Sequence, residues 1–199
     1  MDVRLKEPQR FRALLVDADQ ERHRFLRSLL EDRGFLVIAT CATVGEISTS
    51  PQAAADLLIL YGATLDLSTV EQIRTARRTS NLPIMLISEG DAPGDTAVAI
   101  EAGADSILPI GVATDRFRCA AHSAMAMFER GQLASQQIGA LRRELEHRKL
   151  IERAKGILMS QRRISEHDAF REIQQRSMER NIPMPDIARS IIAAKELLG

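Results

Sequence analysis

The stretch FRALLVDADQERHRFLRSLLEDRGFLVIA, residues 11–39, holds one complete structural repeat. Ala13 to Val16 and Leu36 to Ala39 are short apolar runs of the kind that form strands covered on both faces. Between them, QERHRFLRSLLEDRGF places Phe25, Leu26, Leu29 and Leu30 on one helical face. Gly34 follows where a helix end calls for a left-handed residue. Strand, helix and strand in that order predict a βαβ unit, which has parallel strands.

The same alternation continues outward. Apolar runs recur at Leu57 to Leu60, Pro83 to Ile87 and Ser106 to Leu108, and helices fit Ser68 to Thr79 and Gly94 to Ala102. Five β-α repeats predict an α/β, doubly wound parallel sheet with strand order 2-1-3-4-5 and helices on both faces. A site in such a sheet lies at the carboxyl ends of the strands, here Asp17 to Asp19, Tyr61, Ser88 and Ile110.

Composition agrees with a folded chain. Of 199 residues, 45% are hydrophobic and 27% charged, which excludes wholesale disorder. Lys and Arg number 27, as do Asp and Glu, so the net charge is zero. The balance is uneven, however: residues 135–199 carry thirteen basic and nine acidic side chains, a surplus of four positive charges, and residues 1–134 carry the matching deficit. A polyanion site in the C-terminal third is therefore compatible with neutrality overall. Cys41 and Cys119 stand far apart with no metal-ligand spacing, so neither a disulfide framework nor a zinc site is expected. MDVRLKEPQRF lacks the apolar segment of a signal peptide, and no run of about 18 apolar residues offers a membrane span. A cytoplasmic protein without cofactor or metal is the expectation. The four histidines, His23, His122, His147 and His167, are scattered over helical segments and no glycine-rich phosphate loop occurs, so no enzyme is expected.

The order of elements, with LLVDAD after the first strand and EAGADSILP leading into the fifth, resembles the receiver domain of two-component response regulators over roughly residues 11–115. The resemblance implies a flavodoxin-like fold and a phosphorylation site made of an acidic pair, a phosphoacceptor Asp, a Ser or Thr and a Lys. Asp17 fills the first acidic position, Ala18 falls on the second, and Asp19 is displaced by one residue. Tyr61 stands at the phosphoacceptor position, Ser88 matches the hydroxyl, and Ile110 replaces the Lys. Carboxylates are needed to hold Mg²⁺ and to attack the phosphoryl group. A degenerate, phosphorylation-independent receiver is therefore expected, with Asp17 and Asp19 as helix-terminus carboxylates, Asp66 no substitute nucleophile, and Tyr61 and Ile110 as apolar filling.

From Thr114 the chain reads as helix to about Arg162 without a proline, far beyond ordinary helix length. Such a helix must project from a small domain. Ile138, Leu141 and Leu145 have three-four spacing, and Leu133 and the series Ile151, Ala154, Leu158 continue the apolar stripe with some drift. The stripe predicts a homodimer through a short coiled coil, the part after Leu150 packing partly on the last helices. Ser165 then opens SEHDAFREIQQRSMER with Asp168 at capping-box spacing, NIPMP breaks that helix, and Ile187, Ile191, Ala194 and Leu198 mark a last one from Asp186 to Leu198. The end of the chain reads as a three-helix unit.

The segment RKLIERAKGILMSQRRISEHDAFREIQQRSMERNIPMPDIARSII closely resembles the ANTAR domain, the RNA-binding output module of transcription antiterminators of the AmiR and NasR type, over about residues 137–197. ERAKGILM, IS with an acidic residue before AF, a basic helix and an IA-rich final helix follow at the family's spacing; Ser177 in place of Ala and the RRIS turn are mild departures. The resemblance implies dimeric binding to paired hairpins in nascent leader RNA, under the control of a ligand-sensing partner such as a nitrate- or amide-binding receptor. Independently, Arg148, Lys149, Arg153 and Lys155 lie within about two helical turns, and Arg176 and Arg180 one turn apart, so both rows can face one polyanion. Lys155, between Ala154 and Gly156, ranks first as a backbone contact, while Ala154, Gly156, Met159, Ala169 and Phe170 read as packing residues. The expected plan is a tail at 1–10, a pseudo-receiver at 11–115, a projecting coiled-coil linker at 116–140 and an ANTAR module at 137–199. The competing readings are a DNA-binding response regulator, against which stands the lack of a compact helix-turn-helix, and a protein-only signalling adaptor.

Overall fold

The computed structural model describes residues 10–90 and 94–198. The expected N-terminal tail, save Arg10, lies outside the described residues. Two compact units divide after Gln132.

The N-terminal unit is a five-stranded parallel sheet of β1 (Phe11–Val16), β2 (Phe35–Cys41), β3 (Leu57–Gly62), β4 (Ile84–Ser88) and β5 (Ser106–Pro109). Its order is β2-β1-β3-β4-β5, the doubly wound order that the sequence predicts. Helix α1 (Gln20–Glu31) starts because the Asp19 carboxylate accepts from the backbone N–H groups of Glu21 and Arg22, and it buries Leu26 and Leu30. Phe25, expected on that buried face, is 57% exposed instead, because one residue of a helix turns through about 100° and Leu26 already holds the core position. Gly34 has φ +85°, and a Cβ there would meet the Arg118 guanidinium at 2.9 Å.

Helices α2 (Leu67–Thr79) and α3 (Asp95–Ala102) cover the opposite sheet face with Ile73, Ala76, Ala99 and Ala102. One expected helix is missing: between β2 and β3 the chain forms only two 3-10 turns, Val44–Thr49 and Gln52–Ala54. β-Branched Val44, Ile47 and Thr49 have poor helix propensity, and Pro51 biases Ser50 away from helical ψ. Val44 and Ile47 still supply the apolar side chains that a helix would have brought.

Helix α4 (Thr114–Arg162) runs 49 residues, about 70 Å at 1.5 Å per residue. Its first turns bury Phe117, Ala120 and Ala121 beside α1. From Glu129 to Lys149 every residue except Gln132 and Gly139 is exposed. Its end belongs to the C-terminal unit, where α5 (Glu166–Arg180) and α6 (Met184–Leu198) join it around Ala154, Ile157, Ala169, Ile173, Ala188 and Ile192. Ser165 caps α5 by accepting from the Asp168 N–H, and its hydroxyl donates to the Asp168 carboxylate at 2.6 Å. Asn181 ends α5 in the left-handed region, φ 52°. Among the described residues no helix is long and apolar enough to cross a membrane.

Candidate functional site

At the carboxyl ends of β1 and β3, Asp17 is buried and grips the Arg22 guanidinium through two bonds, Nη2 to Oδ1 at 2.7 Å and Nε to Oδ2 at 2.9 Å. The same guanidinium lies 4.2 Å from the centroid of the Tyr61 ring. Tyr61 is also buried, and its hydroxyl donates to Glu89. Burial, reinforced by the Glu89 carboxylate, pushes the Tyr61 phenol up to about 12.

Tyr61 belongs to the buried core and Ile110 packs against it, as expected of apolar filling, but the crevice holds polar partners as well. A run of partners crosses it, from Asp17 to Arg22 to Tyr61 to the exposed Glu89, and Arg22 also lies 3.5 Å from the Asp19 carboxylate. Ala18 is exposed, Asp19 serves as the α1 cap, and the Ser88 hydroxyl donates to the Gly90 carbonyl at 2.7 Å. Asp66 lines the same depression as Asp17 and Tyr61, but its carboxylate caps α2. The Thr69 N–H at 2.8 Å holds that carboxyl below its ordinary range. A hard divalent cation needs several free oxygens. Asp17 already serves a guanidinium, no carboxylate occupies position 61, and no cluster of three potential ligands occurs among the described residues. The residues do not fit the Mg²⁺ of a receiver.

The basic residues of the C-terminal unit are arranged differently. Lys155, ranked first from sequence, is buried rather than presented, and its ammonium bonds Glu152 at 2.8 Å and Glu166 at 2.7 Å. The two carboxylates raise the Lys155 pKa, and Lys155 in turn lowers that of Glu166. Lys155 is a strut joining α4 to the start of α5. The reason is helical phase: position 155 follows core residue Ala154 on the face turned toward α5. Lys149 pairs with Glu146 and Arg153 with Glu196, each at 2.8 Å on the surface, and Arg148 is exposed. Ala154 and Ala169 are core residues as expected, but Gly156, Met159 and Phe170 are exposed.

Arg176 and Arg180 line a groove of about 220 Å³ together with Arg162 from the end of α4 and Lys195 from α6. Among the described residues no carboxylate lines it. Glu172, just outside the lining, accepts from Arg162 Nη1 at 2.8 Å on each oxygen and also pairs with Arg176. Arg176 and Arg180 thus join Arg162 and Lys195, not the row around Lys155. Sequence reading missed Arg162 and Lys195 because neither is periodic with the α5 pair; only the fold brings three helices to one groove. Leu133, Ile138, Leu141 and Leu145 are all exposed, at 60%, 51%, 65% and 54%. Ala134, Ile138, Leu141 and Leu145 keep coiled-coil spacing, and Leu133 stands one residue off that seam.

Residues 139–192 match the ANTAR domain. The nitrate regulatory protein of Klebsiella oxytoca is 38% identical to this chain over 66 residues, 33% of this chain and 17% of that protein. The transcriptional regulatory protein PdtaR of Mycobacterium tuberculosis is 40% identical over 63 residues, 32% of this chain and 29% of PdtaR. These matches span less than a third of either relative's length. A solved structure of a pilus assembly-related protein from Burkholderia pseudomallei superposes with a TM-score of 0.51 at 24% identity, covering 62% of this chain and 95% of that one, a likeness of fold. The C-terminal helices at residues 139–192 are an ANTAR domain, carried on one chain with a receiver-like α/β domain.

Proposed function

We propose that this chain is a transcription antitermination regulator that binds hairpins in nascent leader RNA, and that it is not an enzyme. The observation that carries the reading is the groove in the ANTAR unit, where Arg162, Arg176, Arg180 and Lys195 converge without a lining carboxylate. Clustered cations on a neutral chain suit a phosphate backbone; the short turn of residues 181–183 between α5 and α6, which the sequence reading did not expect, makes the comparison with duplex DNA below the deciding one. Arg148 and Arg153 extend the cationic surface along α4; Lys149 adds to it, and Lys155 supports it from below.

Control is phosphorylation-independent in this reading, because Tyr61 replaces the nucleophile and Arg22 occupies Asp17. Regulation then falls to binding equilibria: a homodimer through Ile138, Leu141 and Leu145, and sequestration by a ligand-sensing protein of the nitrate- or amide-receptor kind. The nitrate regulatory protein among the relatives supports a link to such sensing.

The test is binding of the purified chain to an RNA of two tandem hairpins, across a salt series, beside a DNA duplex of equal length. Tight RNA binding that weakens steeply with salt, with little duplex binding and no response to acetyl phosphate, is expected. Preference for the duplex would establish the DNA-binding alternative. Binding of neither would leave a protein-only adaptor.

A further inference from the structure

The groove has a property that phosphate binding does not require. Leu158, Ile187 and Ile191, all buried, line it as an apolar base, and Gln161 and Ser190 line it beside them. Apolar surface facing only a solvated phosphate contributes nothing, whereas the flat face of an unpaired base gains by leaving water for such a floor. The base's polar edge needs neutral donors and acceptors, and an amide and a hydroxyl supply both.

Glu172 gives the second observation. One carboxylate, its side chain 20% exposed, holds two guanidiniums from two helices. A guanidinium has five N–H donors, so each keeps donors free after meeting Glu172. Long arginine side chains lose rotamer freedom on binding, and a shared anchor removes part of that loss beforehand.

Resting on the RNA-binding reading above, we propose that the groove takes one unpaired nucleotide of the bound RNA. The base lies on Leu158, Ile187 and Ile191, its flanking phosphates meet Arg180 and Lys195, and Glu172 acts as a positioning residue that aims Arg162 and Arg176. The arrangement makes a prediction opposite to plain charge counting. Glu172→Gln adds one positive charge to the unit, so a diffuse cationic surface would bind RNA more tightly. A positioned groove binds it more weakly.

The experiment uses the full chain and a stem-loop RNA library with randomised loops, from which binders are selected. Bases of a selected loop are then removed one at a time. One position is expected to lose about tenfold in affinity when its base is removed. Ala194→Phe, which fills the groove from the exposed face of α6 without changing charge, should weaken the intact RNA by a similar factor and leave the abasic RNA nearly unaffected. Glu172→Gln should weaken the intact RNA, with a thermal melt of each variant establishing that it is folded. Three results would overturn the proposal while leaving RNA binding intact: no sensitive loop position, unchanged affinity of folded Ala194→Phe, or tighter binding by Glu172→Gln. Failure of the full chain to enrich any RNA would overturn the RNA reading and this proposal together.

Discussion

Both units of the protein set arginine against a buried or half-buried carboxylate, in different proportions. In the receiver-like crevice one guanidinium serves Asp17, covers Tyr61 and lies beside Asp19, so carboxylates outnumber the cation. In the ANTAR groove two guanidiniums share Glu172, and Arg180 and Lys195 stand beside them. The ratio of cations to carboxylates, more than the number of cations, separates a structural site from one with charge left for a ligand.

The comparison breaks most sharply at the groove. Arg176→Glu combined with Arg180→Glu should abolish RNA binding, and single alanine substitutions should each lower the salt dependence of the binding constant by about one ion. Unchanged affinity in the double variant would place the RNA elsewhere. Next in size is Arg22→Ala, which leaves Asp17 buried without its partner. A loss of about 2–3 kcal/mol in denaturant unfolding is expected, with partial recovery when Asp17→Asn is added and RNA affinity unchanged.

Lys155→Ala should lower the Tm by several degrees and leave the salt dependence of RNA binding unaltered, as suits a strut. The pH dependence of that strut follows from its two shifts. Glu166 is lowered, so its contribution is present above the ordinary Glu range and is lost as pH falls; Lys155 is raised, so its contribution is present below the ordinary Lys range and is lost as pH rises. The smallest effect concerns Tyr61, the only tyrosine in a chain without tryptophan. Its phenol, pushed up to about 12, contributes stability that is complete below pH ~10 and declines as pH rises toward 12. Absorbance should show tyrosinate forming late, together with unfolding; titration at the ordinary phenol value in the folded chain would mean that the crevice is open.

The strand positions, the helix limits near 67–79 and 95–102, and the extent of α4 are legible in apolar periodicity and the absence of proline, because those signals are local, whereas the strand order follows from the doubly wound β-α pattern as a whole. The two 3-10 turns are less so: the apolar spacing of Val44 and Ile47 is right for a helix, and Pro51 with the β-branched residues overrides it. At the candidate site the local signal misleads. Lys155 looks exposed between small neighbours, yet its partner Glu166 lies eleven residues away across a helix junction. Arg22 reads as a surface helix charge until the sheet places Asp17 beside it. Arg162, Arg176 and Lys195 come from three helices, and no spacing rule connects them.

Among the described residues, the middle of α4 is the one long stretch whose amides are protected by the helix alone. Between Glu129 and Lys149 almost nothing covers it, whereas helical turns before and after it contribute to two cores. A bare helix of about twenty residues is marginal in water. Deuterium should therefore enter these amides early in a dilute chain and late in a concentrated one, so that the exchange rate of this single segment reads out self-association directly.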